Sequence, residues 1–169
     1  MASTGLSLVN QKLAYCRSLL RLERQQAGEE GPNRRIHSQA LLDGALFHLV
    51  CAYHQYLREL AETYTLPNSA QITNEEQLLQ SLERQGKSPS EVRELKQLKA
   101  IQASWLSQLN ECYATCWQEP EVSGARQIQV VDLEADSAPV RRATRAHLEG
   151  WLAAFTELLE RQRSTSAEF

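Results

Sequence analysis

Apolar residues recur along this chain every three or four positions, and most stretches of that rhythm end at a glycine or a proline. From Leu6 to Gln26, the residues Leu6, Val9, Leu13, Cys16 and Leu20 share one helical face. The run Ala27, Gly28, Glu29, Glu30, Gly31, Pro32 breaks that helix, and so short a link predicts an antiparallel hairpin with the next one. The second helix is expected from Asn33 to Thr65, with Leu42, Leu46, Leu49, Tyr53, Leu57, Leu60 and Tyr64 as its main stripe, and Leu66 and Pro67 end it. Asn74 to Arg84 reads as a short helix closed by Gly86. Its few apolar residues (Leu78, Leu79, Leu82) predict a peripheral position. Ser88, Pro89, Ser90 and Glu91 match a capping box with proline at the first helical position. The helix that follows is expected to reach Gln118 and to bury Leu95, Leu98, Trp105, Leu109, Cys112 and Cys116.

From Glu119 to Ser137 the rhythm changes to an extended-looking run with Ile128, Val130, Val131 and Leu133, which predicts a flap lying over the helices. A last helix is expected after Asp136, Ser137, Ala138 and Pro139, with Val140, His147, Trp151, Phe155 and Leu158 on one face. Residues 164–169 are expected to fray. The prediction is an all-α protein: an antiparallel up-and-down helical bundle of four long helices, one short helix and one extended flap, forming a single domain over residues 1–163.

Two helices carry more apolar surface than one stripe needs. Ile36, Ala40, Phe47 and Cys51 lie roughly opposite the main stripe of the second helix. Leu8, Tyr15 and Leu22 recur at seven-residue intervals on the back of the first. One bundle does not easily bury both faces of two adjacent helices, so these seven residues are the expected interface. A second copy of the chain, or the flap, is expected to cover them.

Composition narrows the function. The 169 residues carry 21 acidic and 18 basic side chains, a formal charge of −3, which weighs against a dedicated nucleic-acid binder. No apolar run approaches the ~20 residues a bilayer-spanning helix needs. The start from Met1 to Lys12 lacks the charged and apolar regions of a signal peptide, so a cytoplasmic location is expected. Four cysteines (Cys16, Cys51, Cys112, Cys116) are expected as reduced thiols, with Cys112 and Cys116 buried as small hydrophobes on the stripe of their helix.

Little in the chain points to catalysis. A di-metal carboxylate site needs Glu-x-x-His pairs, and none occurs. His48, Cys51 and His54 are the candidate metal ligands or thiol-imidazole pair, but successive steps of three residues spread them over roughly 120° of helix surface. Phosphate-binding loops and dinucleotide fingerprints are missing, and no cofactor is implied.

Two resemblances add to this reading. Arg142 followed five positions later by His147 resembles the Arg-(x)4-6-His signature of the HEPN superfamily, helical bundles that include RNases acting as dimers. It implies a catalytic pair at Arg142 and His147. Ala143 stands where a polar residue usually follows the arginine, and on one continuous helix the pair would point about 140° apart. The alternative packs His147 as a semi-buried imidazole while the nearby arginines pair with Glu149 and other surface acids. The segments Asn10-Gln11-Lys12-Leu13, Ala45-Leu46-Phe47-His48-Leu49, Ala52-Tyr53 and Tyr56-Leu57, with the Ile128 stretch and the Trp151 helix, resemble a family of small bacterial proteins of unknown function from pseudomonads and their relatives. That resemblance implies a compact cytosolic helical protein and brings no activity with it.

Overall fold

The apolar stripes become helices, and contacts between named side chains set the direction of each. The structure is a computed structural model that describes residues 4–26, 31, 33–118 and 142–166. Among these residues it holds six helices and no strand: α1 (Thr4–Gln26), α2 (Arg34–Thr63), α3 (Glu75–Glu83), α4 (Ser90–Ala100), α5 (Trp105–Thr115) and α6 (Arg145–Ser166). The flap expected over 119–137, and Val140, lie outside the described residues. Helix α6 continues through Ser166, into the segment expected to fray.

Helix α1 runs antiparallel to α2: Tyr15 meets His48, and Ser38 on α2 donates to Glu23 near the other end of α1 at 2.8 Å. Leu19 of α1 packs against α2 at Gly44, where an added Cβ would sit 3.2 Å from Leu19 Cδ1. Helix α6 is also antiparallel to α1, with Arg163 donating to Asn10, Arg17 to Thr156 and Arg24 to Glu149. Helices α4 and α5 both run against α6, since Arg161 pairs with Glu94 while Trp151 reaches Gln108. The described helices thus alternate in direction, α1 against α2 and α4–α5 against α6, as the bundle reading requires.

Several expectations need correction. The helix predicted from Ser90 to Gln118 is broken at 101–104. Ile101 is extended and exposed, and Ser104 caps α5 by accepting the Ser107 N–H at 3.1 Å. The apolar stripe lapses there, because the positions that would face inward carry Lys99 and Gln102. The break also relocates the thiols: Cys112 is buried, but α5 ends at Thr115 and Cys116 is exposed in the turn beyond it. Along this rod Leu106 is fully buried, while Leu98 and Trp105 are only partly so.

Helix α3 is not peripheral. Leu78, Leu79 and Leu82 are all buried, as is Glu75 at its start. Asn74 caps it by accepting the Gln77 N–H at 2.9 Å. Gly86, at φ +70°, closes it with the Lys87 N–H on the Leu82 carbonyl, a geometry that favours glycine. The capping box expected before α4 does not form either. Pro89 occupies the N-cap and no side chain caps the helix.

The core centres on α2 and on Phe155 of α6. Phe155 is fully buried, stacked on Trp105 at 5.5 Å and edge-on to Tyr53 and Tyr56 at 6.0 Å. Both tyrosine hydroxyls enter the interior with partners. Tyr53 donates to Glu75, whose other oxygen accepts from Lys99 at 2.8 Å; Tyr56 donates to Gln162. Arg163 forks onto both oxygens of buried Glu59 at 2.8 and 2.7 Å, tying α6 to α2. Burial pushes the Tyr53 and Tyr56 hydroxyls well above their usual range, so both stay protonated donors.

Truncating Phe155 to Ala removes the ring shared by three aromatic partners and is expected to cost about 3–5 kcal/mol, measured by urea unfolding. Glu75 supplies an acid-side prediction. Burial alone would raise its titration, but the hydrogen bonds from Lys99 and Tyr53 outweigh burial and hold it below the ordinary 4.5. The folded carboxylate is therefore the favoured form. Its contribution is present above that ordinary value and is lost as pH falls through the lower, folded one. Glu75→Gln is expected to give a shallower loss of stability on acidification than the parent, read from urea midpoints across the acid range.

Candidate functional site

Most of the residues predicted to form a second apolar face are exposed among the described residues, as are Ile101 and Trp117 elsewhere. Of the large hydrophobic side chains exposed among the described residues, Leu8, Tyr15, Leu22, Ile36 and Phe47 all lie on the α1–α2 hairpin, from 36% exposed at Leu8 to 67% at Ile36. Ala40 is exposed beside them and Cys51 is half-buried. Antiparallel packing explains the arrangement. Val9, Leu13, Cys16 and Leu20 turn inward together with Leu42, Leu46, Leu49 and Tyr53, so the residues half a turn away on each helix come to lie on the outside.

At the middle of this face the side chains touch. The His48 ring stands edge-on to Tyr15 at 5.2 Å and to Phe47 at 5.4 Å, which joins the aromatic groups of the two helices. Lys12 places its ammonium 5.7 Å from the centre of the Tyr15 ring. His48 Nδ1 is shut away from solvent with no hydrogen-bond partner. Burial and the neighbouring Lys12 charge both lower the titration of His48, and burial raises that of Cys51 against the opposing pull of Lys12. A raised thiol is a poor nucleophile, so Cys51 lacks the electropositive activation a reactive cysteine needs.

The metal candidates do not converge. His48 faces the aromatic pair, whereas His54 packs by Tyr53 and bonds the Thr73 backbone on another side of the helix. Among the described residues, no group of three or more His, Cys, Asp or Glu side chains is placed to hold a metal ion.

Arg142 and His147 are not on one helix, because α6 begins only at Arg145. His147 instead builds the start of α6. Its backbone N–H donates to Thr144 Oγ1 at 3.3 Å, and its Nδ1 accepts the Thr144 N–H at 3.4 Å, a reciprocal cap with histidine in the position usually held by glutamate. Its ring stacks on Trp151 at 5.8 Å and 11°. Arg142 turns elsewhere and lines an open groove of about 1020 Å³ at the start of α2, with Arg34, Arg35 and Asp43. That groove adjoins the apolar face through Ile36 and Ala40, which also line it. Of the arginines near His147, Arg145 pairs with the largely covered Glu23, whereas Glu149 is taken by Arg24 of α1.

Sequence reasoning missed the interior carboxylates. Glu59, Glu75 and Glu91 are buried, each in contact with a tyrosine or an arginine from a distant part of the chain. The only signal available was their position on faces otherwise apolar. Glu75 has both oxygens occupied, by Tyr53 and Lys99, which makes this network a clasp between helices.

Among the described residues, no helix is long and apolar enough to cross a membrane. No curated protein and no solved structure matches the chain. A family model does, over residues 1–169, and the chain belongs to the DUF6586 family, a family of unknown function.

Proposed function

We propose that this protein works through protein contacts and not by catalysis, and that the contact is with a second copy of itself, made by the outer face of α1 and α2. One observation carries the reading: Leu8, Tyr15, Leu22, Ile36 and Phe47 are exposed together on one hairpin, with Tyr15 and Phe47 bridged by His48. Contiguous apolar surface is costly to leave in water, and aromatic side chains are the groups that anchor protein interfaces. The seven-residue spacing on α1 suits a helix laid alongside another helix. A two-fold pairing would set this patch against its own copy, so each hydrophobe would meet a hydrophobe.

The chemistry of the face supports contact over turnover. Cys51 is held as a thiol, and the polar groups at the centre are Lys12 and His48, with no carboxylate paired to the imidazole among the described residues. A catalytic imidazole is normally oriented by such a partner.

Size-exclusion chromatography with light scattering tests the proposal. The wild-type chain is expected at twice the mass of one chain, and Phe47→Glu at the mass of one, with unchanged helical circular dichroism. A wild-type protein of single-chain mass, unchanged by the substitution, overturns it. Tyr15→Ala, which removes the other half of the aromatic pair, is expected to weaken association by about 2 kcal/mol or more, measured by sedimentation equilibrium.

A further inference from the structure

We propose that the charge state of His48 gates this face: the neutral ring is wedged between Tyr15 and Phe47 and completes the contact surface, and the protonated ring leaves its place and opens it. The association half of this inference rests on the self-association proposed above; the behaviour of the ring does not.

The argument begins with an unpaired atom. His48 Nδ1 is closed off from solvent and has no hydrogen-bond partner. In a neutral imidazole with the proton on Nε2, Nδ1 carries only a lone pair, and an unsatisfied acceptor is tolerable. Adding a proton converts it to a charged N–H donor with nothing to receive it, in a place water does not reach. The surroundings make this worse. From α1, Lys12 is the charge that acts on His48, and Tyr15 presents its ring; from α2, Phe47 flanks the imidazole and Cys51, a protonated thiol, lies one turn along. Among the described residues no carboxylate offsets that positive charge. Burial first, and Lys12 second, accordingly hold the titration below the ordinary 6.5.

Relief requires the ring to move outward into water. Its edge-on contacts with Tyr15 and Phe47 are what join the aromatic groups of α1 and α2 across the hairpin, so their loss splits the patch at its centre. In a two-fold pair the cost is doubled, because each copy brings one His48 and one Lys12 to the seam. The linkage has a definite sign. A group whose titration is lowered in the closed form favours that form at high pH, and the preference is lost as pH falls from the ordinary value through the lowered one.

Two measurements test this. The first follows the His48 Cε1–H resonance by NMR in wild type, in Lys12→Gln and in the Phe47→Glu chain. The wild-type midpoint is expected below 6.5 and is expected to rise in Lys12→Gln; a wild-type midpoint at or above the ordinary value overturns the gate. The second is sedimentation equilibrium of wild type and His48→Gln at about pH 7.5 and about pH 5.5. Wild-type dimer is expected to weaken at least about tenfold on acidification, and His48→Gln, which cannot titrate, is expected to change far less. A wild-type dimer indifferent to pH, or an equal response in His48→Gln, overturns the gate and leaves self-association standing. A wild type of single-chain mass at the higher pH overturns the self-association reading, and with it the gating of association.

Discussion

Helix α2 has apolar residues around most of its circumference, and the other helices are arranged to cover as much of it as they can. Twelve of its residues are buried, including Leu42, Leu46, Leu49, Tyr53, Leu57 and Leu60 on the main stripe and Ala45, Val50, Ala52, Tyr56 and Ala61 beside it. Hydrophobic burial at this scale needs neighbours on several sides. Helix α1 supplies one, closing to within contact distance at Gly44, and α5, α6 and α3 supply others. The strip that no described helix covers is the one holding Ile36, Ala40 and Phe47.

Burying tyrosines in so apolar a centre sets a second requirement. Each hydroxyl needs an acceptor or costs roughly 1–3 kcal/mol, and the acceptors come from distant parts of the chain. Glu75 arrives on α3 and Gln162 on α6, and each acceptor engages a further side chain, Lys99 or Glu94. The forked Arg163–Glu59 pair works in the same way. These polar contacts fix which helix lies against which, a matter on which apolar packing alone is indifferent. They also explain why α3, with only three leucines, belongs to the core: Glu75 anchors its start while the leucines fill the space beside it.

The outer face of the hairpin differs from the interior in one respect that bears on function. Inside, each buried carboxylate and tyrosine hydroxyl has a partner; on the outer face His48 Nδ1 has none. Natural proteins keep few such atoms. Here the atom sits beside aromatic side chains from two helices and near a lysine, on a face with several exposed apolar residues.

Local periodicity was enough to place α1, α2 and the inward stripes of both, because an apolar repeat of three to four residues has one solution in water: a helix with that face covered. The same arithmetic places Leu8, Tyr15, Leu22, Ile36 and Phe47 away from the interior, since residues about half a turn from a buried stripe must point away from it. What periodicity does not carry is long-range contact. The break at 101–104 depends on the lapse of the stripe at Lys99 and Gln102 together with the Ser104 cap, and it carried Cys116 from the expected core to the surface. The partners of Glu59 and Glu75 and the aromatic surroundings of His48 were decided by residues from about twenty to about a hundred positions away. A hydrophobic stripe declares which side of a helix is buried, but hydrogen bonds and charges are satisfied in three dimensions, and only the packed chain brings their partners within reach.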